Sequence, residues 1–440
     1  MFQTLKNAWK IQELKNKLLF TLLIVLLYRL GSHIPIPFVN PAAYDPSQAS
    51  ALASNFGGIL EYMNVMSGGA LSQATLFALS VSPYITASIV IQLLTIAIPA
   101  LERLSKEGEE GRKKINALTR YVTVGLALVT SYGYMNLLMS FGVGEGMYFV
   151  TKPNWFQQIV IVACYCAGAS LVMWLAEKIN EHGIGNGISM ILFISIISRG
   201  PAVVQELWNT ITGMGTNSWK LVLGILLGIL YVAVALAVVA FIVLVTNSER
   251  KIPIQYAKRV VGRKMYGGQN TNLPIKINMS GVMPVIFAGS IVSIPATLAS
   301  FIPVDFFKTI ANNFNQYSWF YIVIYLILII AFSYFYIMIS FNPVEVANNI
   351  KNNGGAIPGV RTGKPTVDFI TKILNRITLI GGFFLCFIAG FPMVLAATFE
   401  GFSGLVFGGT SLLIVIGVAL ETVRDLEAQI TLRSYKGFLD

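Results

Sequence analysis

The stretch SWFYIVIYLILIIAFSYFYIMISF, residues 318–341, contains no Asp, Glu, Lys or Arg. A helix rises 1.5 Å per residue, so this run is long enough to cross the roughly 30 Å hydrocarbon core of a bilayer. In lipid every backbone N–H and C=O must find its partner within the segment, which makes helix the expected conformation. The same reading repeats along the chain. Apolar runs at 18–36, 72–99, 117–141, 155–177, 187–204, 219–246, 277–303, 370–394 and 403–423 join 318–341 to make ten expected spans. The run at 187–204 is short and follows Gly183, Gly185 and Gly187.

Composition agrees with lipid as the main solvent. Of 440 residues, 55% are hydrophobic and only 12% charged, whereas soluble domains carry about 25% charged residues. Lys10 to Lys17 followed by Leu18–Leu27 has the outline of a signal peptide, but Tyr28-Arg29-Leu30 follows with no small-x-small cleavage site. The expectation is a retained first membrane helix. Cys164, Cys166 and Cys386 sit in apolar runs at spacings that suit neither a bridge nor zinc, and read as buried free thiols.

The net charge of +11 is unevenly placed. Of 31 Lys and Arg, 26 fall in one alternating set of connections and tails, against Lys152, Arg199, Lys220 and Lys308 in the other and Arg29 within the first span. Basic residues concentrate on the cytoplasmic side of short loops. Both termini are therefore expected in the cytoplasm, and the basic excess reads as a topology signal that needs no nucleic acid to explain it. Two loops on that side are long, 247–276 and 342–369. Apolar and polar residues alternate from Lys251 to Lys258, which suggests an extended, hairpin-like finger. Gly354-Gly355 and Pro358-Gly359 mark turns in the second loop. The two loops read either as solvated segments at anionic headgroups or as a partner surface.

No catalytic constellation is present in the sequence. His33 and His182 lie near helix ends, and there is no Gly-x-Ser-x-Gly or His-Glu-x-x-His. Gly359-Val360-Arg361-Thr362-Gly363-Lys364-Pro365 has one residue too few between its glycines for a phosphate loop, and Pro365 stands where Ser or Thr should bind magnesium. The chain is read as no enzyme, with no cofactor and no metal site, so a partner or a gradient must supply any work. A solute transporter coupled to ions would carry ionisable groups at mid-membrane, each costing roughly 2.5–3.5 kcal/mol to insert. Arg29 and Glu421 fall towards helix ends instead. A membrane-embedded enzyme would need a nucleophile, base or metal cluster.

Two segments stand out. Ser80, Ser82, Thr86, Ser88, Gln92 and Thr95 form a polar stripe in the second span, which reads as close helix packing or as a face that meets water or a passing polar chain. Residues 57–69 hold an apolar piece too short to span, flanked by Gly57-Gly58 and Gly68-Gly69. It reads as an interfacial helix or as a re-entrant, hinged element.

Six stretches in register resemble the SecY family, the large subunit of the bacterial Sec translocon. They are Ser82-Pro83-Tyr84-Ile85-Thr86-Ala87-Ser88-Ile89, Gly183-Ile184-Gly185-Asn186-Gly187-Ile188-Ser189, Asn278-Met279-Ser280-Gly281-Val282-Met283-Pro284, Phe341-Asn342-Pro343, Pro358-Gly359-Val360-Arg361 and Gly408-Gly409-Thr410-Ser411-Leu412-Leu413-Ile414. The resemblance implies an all-α, polytopic membrane protein with two inverted-repeat halves, 1–204 and 205–424, around a central pore, and a tail at 425–440. It implies a protein-conducting channel that moves unfolded preproteins across the bacterial plasma membrane and releases membrane segments sideways. Ile85, Ile89, Ile188, Leu192, Ile286 and Ile414 would form the pore ring, with Leu192 where isoleucine is more usual. Ile59, Leu60, Tyr62, Met63, Asn64, Val65, Met66, Ser67, Gly68 and Gly69 would form a plug that swings on its glycines. Ser88, Gln92 and Asn278 would lie at a lateral gate between the second and seventh spans. Arg250, Lys251, Lys258, Arg259 and Arg361 would dock the SecA ATPase or a ribosome, including its RNA phosphates. SecE and SecG are the implied small membrane subunits, and a preprotein signal sequence the implied opener.

Overall fold

The computed structural model describes residues 2–40, 59–140, 150, 153–202, 204–205, 218–256, 259–261, 264–266, 270–301, 318–398 and 407–436. The first helices are α1 (Phe2–Lys10), α2 (Gln12–Gly31), α3 (Ile59–Met66), α4 (Ser82–Ala97), α5 (Pro99–Lys106), α6 (Glu109–Ser140), α7 (Trp155–His182), α8 (Gly187–Ser198) and α9 (Ser218–Asn247). Strands β1 (Glu249–Tyr256), β2 (Arg259–Val261), β3 (Lys264–Tyr266) and β4 (Asn270–Lys276) come next. The chain continues with α10 (Met283–Phe301), α11 (Trp319–Ser340), α12 (Pro343–Asn352), β5 (Gly355–Ala356), α13 (Lys364–Thr398) and α14 (Phe407–Lys436).

Among the described residues, α6, α7, α9, α11 and α13 contain helices long and apolar enough to cross a bilayer, and α4 with α5 qualifies as a pair bent by 101°. The bend falls at Ile98, which is extended (φ −108°, ψ 113°) because Pro99 comes next and disfavours helix at the residue before it. The exposed face of α9 is apolar: Leu226, Ile229, Val232, Leu236 and Leu244 all point outwards. Such a face would be a liability in water and is the ordinary surface of a helix in lipid. The chain is a multi-pass membrane protein.

The observed boundaries depart from the expected ones for identifiable reasons. The second span begins at Ser82, not at 72. Residues 67–81 are instead a series of turns, with Ala74 and Ser80 in left-handed backbone (φ 50° and 49°) and Pro35 bridged to Thr75. Left-handed backbone at a residue with a Cβ costs roughly 1–2 kcal/mol, and Ser80 is held there by a buried contact. Tyr28 Oη lies 3.1 Å from Ser80 Oγ and 2.8 Å from Ser195 Oγ, and its ring stacks on Phe77. The first span runs from Gln12 to Gly31, so His33 lies beyond it. The seventh starts at Met283, after a turn at Gly281 with φ 63°. The tenth continues past 424 to Lys436. That extension lies against α1, with Ala8, Leu14, Ile184 and Leu426 buried together and Ile11, Leu18 and Ile430 packed on them.

The two long loops are one unit. β1 and β4 pair antiparallel from Glu249↔Lys276 to Gln255↔Asn270, so the alternating segment is a hairpin. β5, from the second loop, joins the other edge of β1 through Gln255↔Ala356 and Tyr256↔Gly355. The three-stranded order β4-β1-β5 adds strands to an otherwise helical fold. Ile252, Ile254 and Ile275 of the sheet are buried with Ala347, Ile350 and Ile357 and with Ile370, Leu374 and Ile377 of α13.

Candidate functional site

Ile85 and Ile89 stand one turn apart on α4, Ile188 and Leu192 one turn apart on α8, Ile286 on α10 and Ile414 on α14. Spacing of four puts each pair on one helix face. Ile85, Ile89, Leu192, Ile286 and Ile414 are buried within a single apolar cluster, and Ile188 is half-buried against it. Local chemistry aims α8 at this point. Asn186 caps the helix, its Oδ1 accepting from Ile188 N at 3.0 Å and Ser189 N at 3.4 Å. Gly187 N donates to Asn180 Oδ1 at 2.7 Å, and a Cβ at Gly187 would lie 1.9 Å from the Ala176 carbonyl oxygen. Only glycine permits that approach of α8 to α7. A waist of branched aliphatics has no donor or acceptor for water or ions, so it favours the dry state when empty.

Met66, at the end of α3, is buried in the same cluster. Ile59, Leu60 and Tyr62 lie on α3, and their side chains are outside the described residues. Met63 is half-buried and packs on a second cluster, while Asn64, Val65 and Ser67 are buried. Gly68 and Gly69 take left-handed backbone (φ 71° and 90°), and a Cβ at Gly68 would meet Ser198 Oγ at 2.9 Å and the Ser195 carbonyl oxygen at 3.0 Å. Hydrogen bonds span these glycines. Ser72 N donates to Asn64 Oδ1 at 3.0 Å, and Leu71 N to Ser67 Oγ at 3.1 Å. These bonds tie the helix end to the next turn, and Gly68 permits the close approach to Ser195 and Ser198. Asn64→Ala removes the acceptor for a buried N–H and is expected to cost about 1–3 kcal/mol. Faster hydrogen exchange at the Ser72 amide is the check.

Within the polar stripe, Thr86, Ser88, Gln92 and Thr95 bond inside α4, while Ser80 precedes the helix and meets Tyr28. Gln92 Nε2 donates to Ser88 Oγ at 3.2 Å, Thr86 Oγ1 to the Ser82 carbonyl at 3.0 Å and Thr95 Oγ1 to the Gln92 carbonyl at 2.6 Å. Asn278 is buried in the turn before α10, not on that helix, and its Oδ1 accepts from Ser280 Oγ at 3.4 Å. Among the described residues no hydrogen bond joins Gln92 to Asn278. α4 and α10 are in contact, and Ile85 and Ile89 of α4 share an apolar cluster with Val285, Ile286 and Ala288 of α10.

Arg250 and Lys251 are exposed on β1, with Lys251 Nζ 3.4 Å from Glu249 Oε1. Lys258 lies outside the described residues, and Arg259 opens β2. Arg361 is exposed between Gly359 and Gly363, both left-handed, and its carbonyl accepts from Thr366 Oγ1 at 2.8 Å. Residues 358–363 form the turn leading into α13, and Lys364 and Pro365 are the first residues of that helix. All three cysteines are free, Cys166 and Cys386 buried and Cys164 only half-buried, which corrects the expectation of three buried thiols.

Sequence reasoning missed the Tyr28–Ser80–Ser195 contact, because nothing local relates residues so far apart. It also missed Arg424, which bonds the end of α9, and Asp425, which bonds the turn before α8. The Asn186 cap was legible, since Asn directly before an apolar run is a helix-start signal.

Comparison with known proteins agrees with this architecture. The SecY family model matches residues 75–423. The chain is 44% identical to the protein translocase subunit SecY of Streptomyces galbus over 456 residues, covering 100% of each. It is 41% identical to that of Bacillus subtilis and 42% identical to that of Aquifex aeolicus, again over the whole of each chain. Among solved structures it resembles one titled "The structure of a protein conducting channel", with TM-score 0.61, 18% identity, and coverage of 94% of this chain and 92% of that one. Sec61 in a canine ribosome-channel complex aligns with TM-score 0.60, 16% identity and the same coverage. At that identity the structures speak for the fold, and the sequence relatives for the family. On these full-length relatives and a family match across most of its length, the chain belongs to the SecY family.

Proposed function

We propose that this chain is the channel-forming subunit of a protein translocon in a bacterial plasma membrane, with ten spans and both termini in the cytoplasm. It passes unfolded preproteins across the membrane and membrane segments out through a seam between α4 and α10. One observation carries the reading. Ile85, Ile89, Leu192, Ile286 and Ile414, from α4, α8, α10 and α14, are buried in the same apolar cluster as Met66 of α3, with Ile188 half-buried against it. The ring Ile85, Ile89, Ile188, Leu192, Ile286 and Ile414 is the seal, and α3 with the turn after it is the plug. Parting the seam leaves Thr86, Ser88, Gln92 and Thr95 paired, because they bond within α4. Opening needs only a ligand, the signal sequence, that favours the parted state.

The joined loops form the surface for the SecA ATPase or a ribosome, with Arg250, Lys251, Lys258, Arg259 and Arg361 facing carboxylates or phosphates. SecE and SecG complete the complex. The test is reconstitution with SecE and SecG in proteoliposomes, adding SecA, ATP and an unfolded precursor. ATP-dependent protection of the precursor from protease is expected. Arg361→Glu, a charge reversal at the docking turn, is expected to lower it by roughly tenfold or more, equivalent to about 1.4 kcal/mol or above. No protection with correctly oriented wild-type protein would overturn the reading.

A further inference from the structure

Beyond Ile414 on α14, two neighbouring side chains reach to different parts of the fold. Arg424 Nη2 donates to the Thr246 carbonyl at 2.8 Å and to Asn247 Oδ1 at 2.7 Å. Those residues end α9, where carbonyls lack helical partners and the helix dipole favours a cation. The hairpin begins at once. Ile277 N donates to the Ser248 carbonyl at 3.0 Å, and Glu249 pairs with Lys276. The adjacent Asp425 accepts from Gly185 N at 3.1 Å through Oδ2, the same oxygen that accepts from Gln429 Nε2 at 3.2 Å. Gly185 has φ +75°, and a Cβ there would lie 3.2 Å from Thr422 Oγ1. Two residues later α8 begins, carrying Ile188 and Leu192. α14 is continuous from Phe407 to Lys436, so about 15 Å of unbroken helix separates Ile414 from Arg424.

The geometry points to Arg424 and Asp425 as a coupling joint, a pair of positioning residues through which a load on the hairpin reaches the aliphatic waist. The inference rests on the channel reading above. Arg424 fixes the hairpin base to α14. Asp425 fixes α14 to the turn from which α8 starts. A partner that displaces the hairpin thereby moves Ile414, Ile188 and Leu192 together, since packed elements shift as units between discrete arrangements. Neither residue needs to touch the partner or the preprotein.

The test compares wild type with Arg424→Gln in proteoliposomes of the full complex supplied with SecA, ATP and precursor. Three quantities are read: motor bound, ion conductance without motor, and precursor protected per ATP hydrolysed. The variant is expected to match wild type in the first two and to fall roughly tenfold in the third, the scale of hydrogen bonds lost from a charged donor. Arg424→Lys, which keeps a cationic donor, is expected to restore most of that loss. If Arg424→Gln does not assemble, Asn247→Ala removes an acceptor from the other side of the joint, with a several-fold loss expected. Wild-type yield per ATP in the variant read, or motor binding that falls in step with translocation, overturns the joint. Absence of protection in the wild type overturns the channel reading and the joint with it.

Discussion

Replacing Ile85 and Ile188 together by glycine is expected to make the resting protein leak ions at roughly ten times the wild-type conductance or more. The two side chains come from α4 and α8; Ile85 is 2% exposed within an apolar cluster, and Ile188 is half-buried against that cluster. A seal of this kind works by excluding water, not by binding anything. A water needs only about one probe sphere of space to enter, and two isoleucine side chains occupy far more. Each buried methylene contributes about 0.8 kcal/mol, while a fall of about 1.4 kcal/mol in a barrier is a tenfold rise in rate. The double deletion exceeds that several times over. Planar-bilayer conductance of the purified complex measures it, with Ile85→Val as the control that keeps a branched aliphatic and should keep the seal. Background conductance in the double variant would mean that the waist lies elsewhere.

Gly187→Ala is expected to destabilise the protein by about 3 kcal/mol, the upper range for forced overpacking. The added methyl would sit 1.9 Å from the backbone oxygen of Ala176. That oxygen belongs to α7 and cannot rotate away as a side chain could. The helices must part, and with them go the Asn180 contact to Gly187 N and the aim of Ile188 and Leu192. A lower unfolding midpoint in detergent is the direct check. Gly125→Ala is the control, because its Cβ would meet nothing within 4 Å. Equal midpoints for the two variants would show that the α7–α8 approach is not tight.

Composition and length alone mark residues 318–341 as a membrane helix, and α11 runs from Trp319 to Ser340. The hairpin is legible from alternation, because a strand with one buried face must repeat every two residues, and Ile252 and Ile254 are that face. The turns at 67–81 are not legible. Their sequence carries no charge and runs without a break into the apolar span, and the helix is interrupted by left-handed residues and a distant tyrosine. The pairing of β5 with β1 is equally hidden, since a two-residue strand has no periodicity to read.

For the candidate site, the residue types point to a waist only through the family resemblance. Branched aliphatics at a spacing of four are ordinary packing residues on most membrane helices. Asn278 shows the limit in the other direction, because a polar residue near a helix start can belong to the turn before it.

By itself, the sequence determined that this chain lives in lipid and that it crosses the membrane repeatedly. Hydrocarbon acts on each segment separately, so length and composition suffice for those conclusions. Tertiary structure alone decided which residues meet: Tyr28 with Ser80 and Ser195, Arg424 with the end of α9, and the two loops in one sheet. Those contacts depend on close backbone approach, left-handed turns and hydrogen bonds between segments up to hundreds of residues apart, and no local pattern in a chain encodes a neighbour that distant.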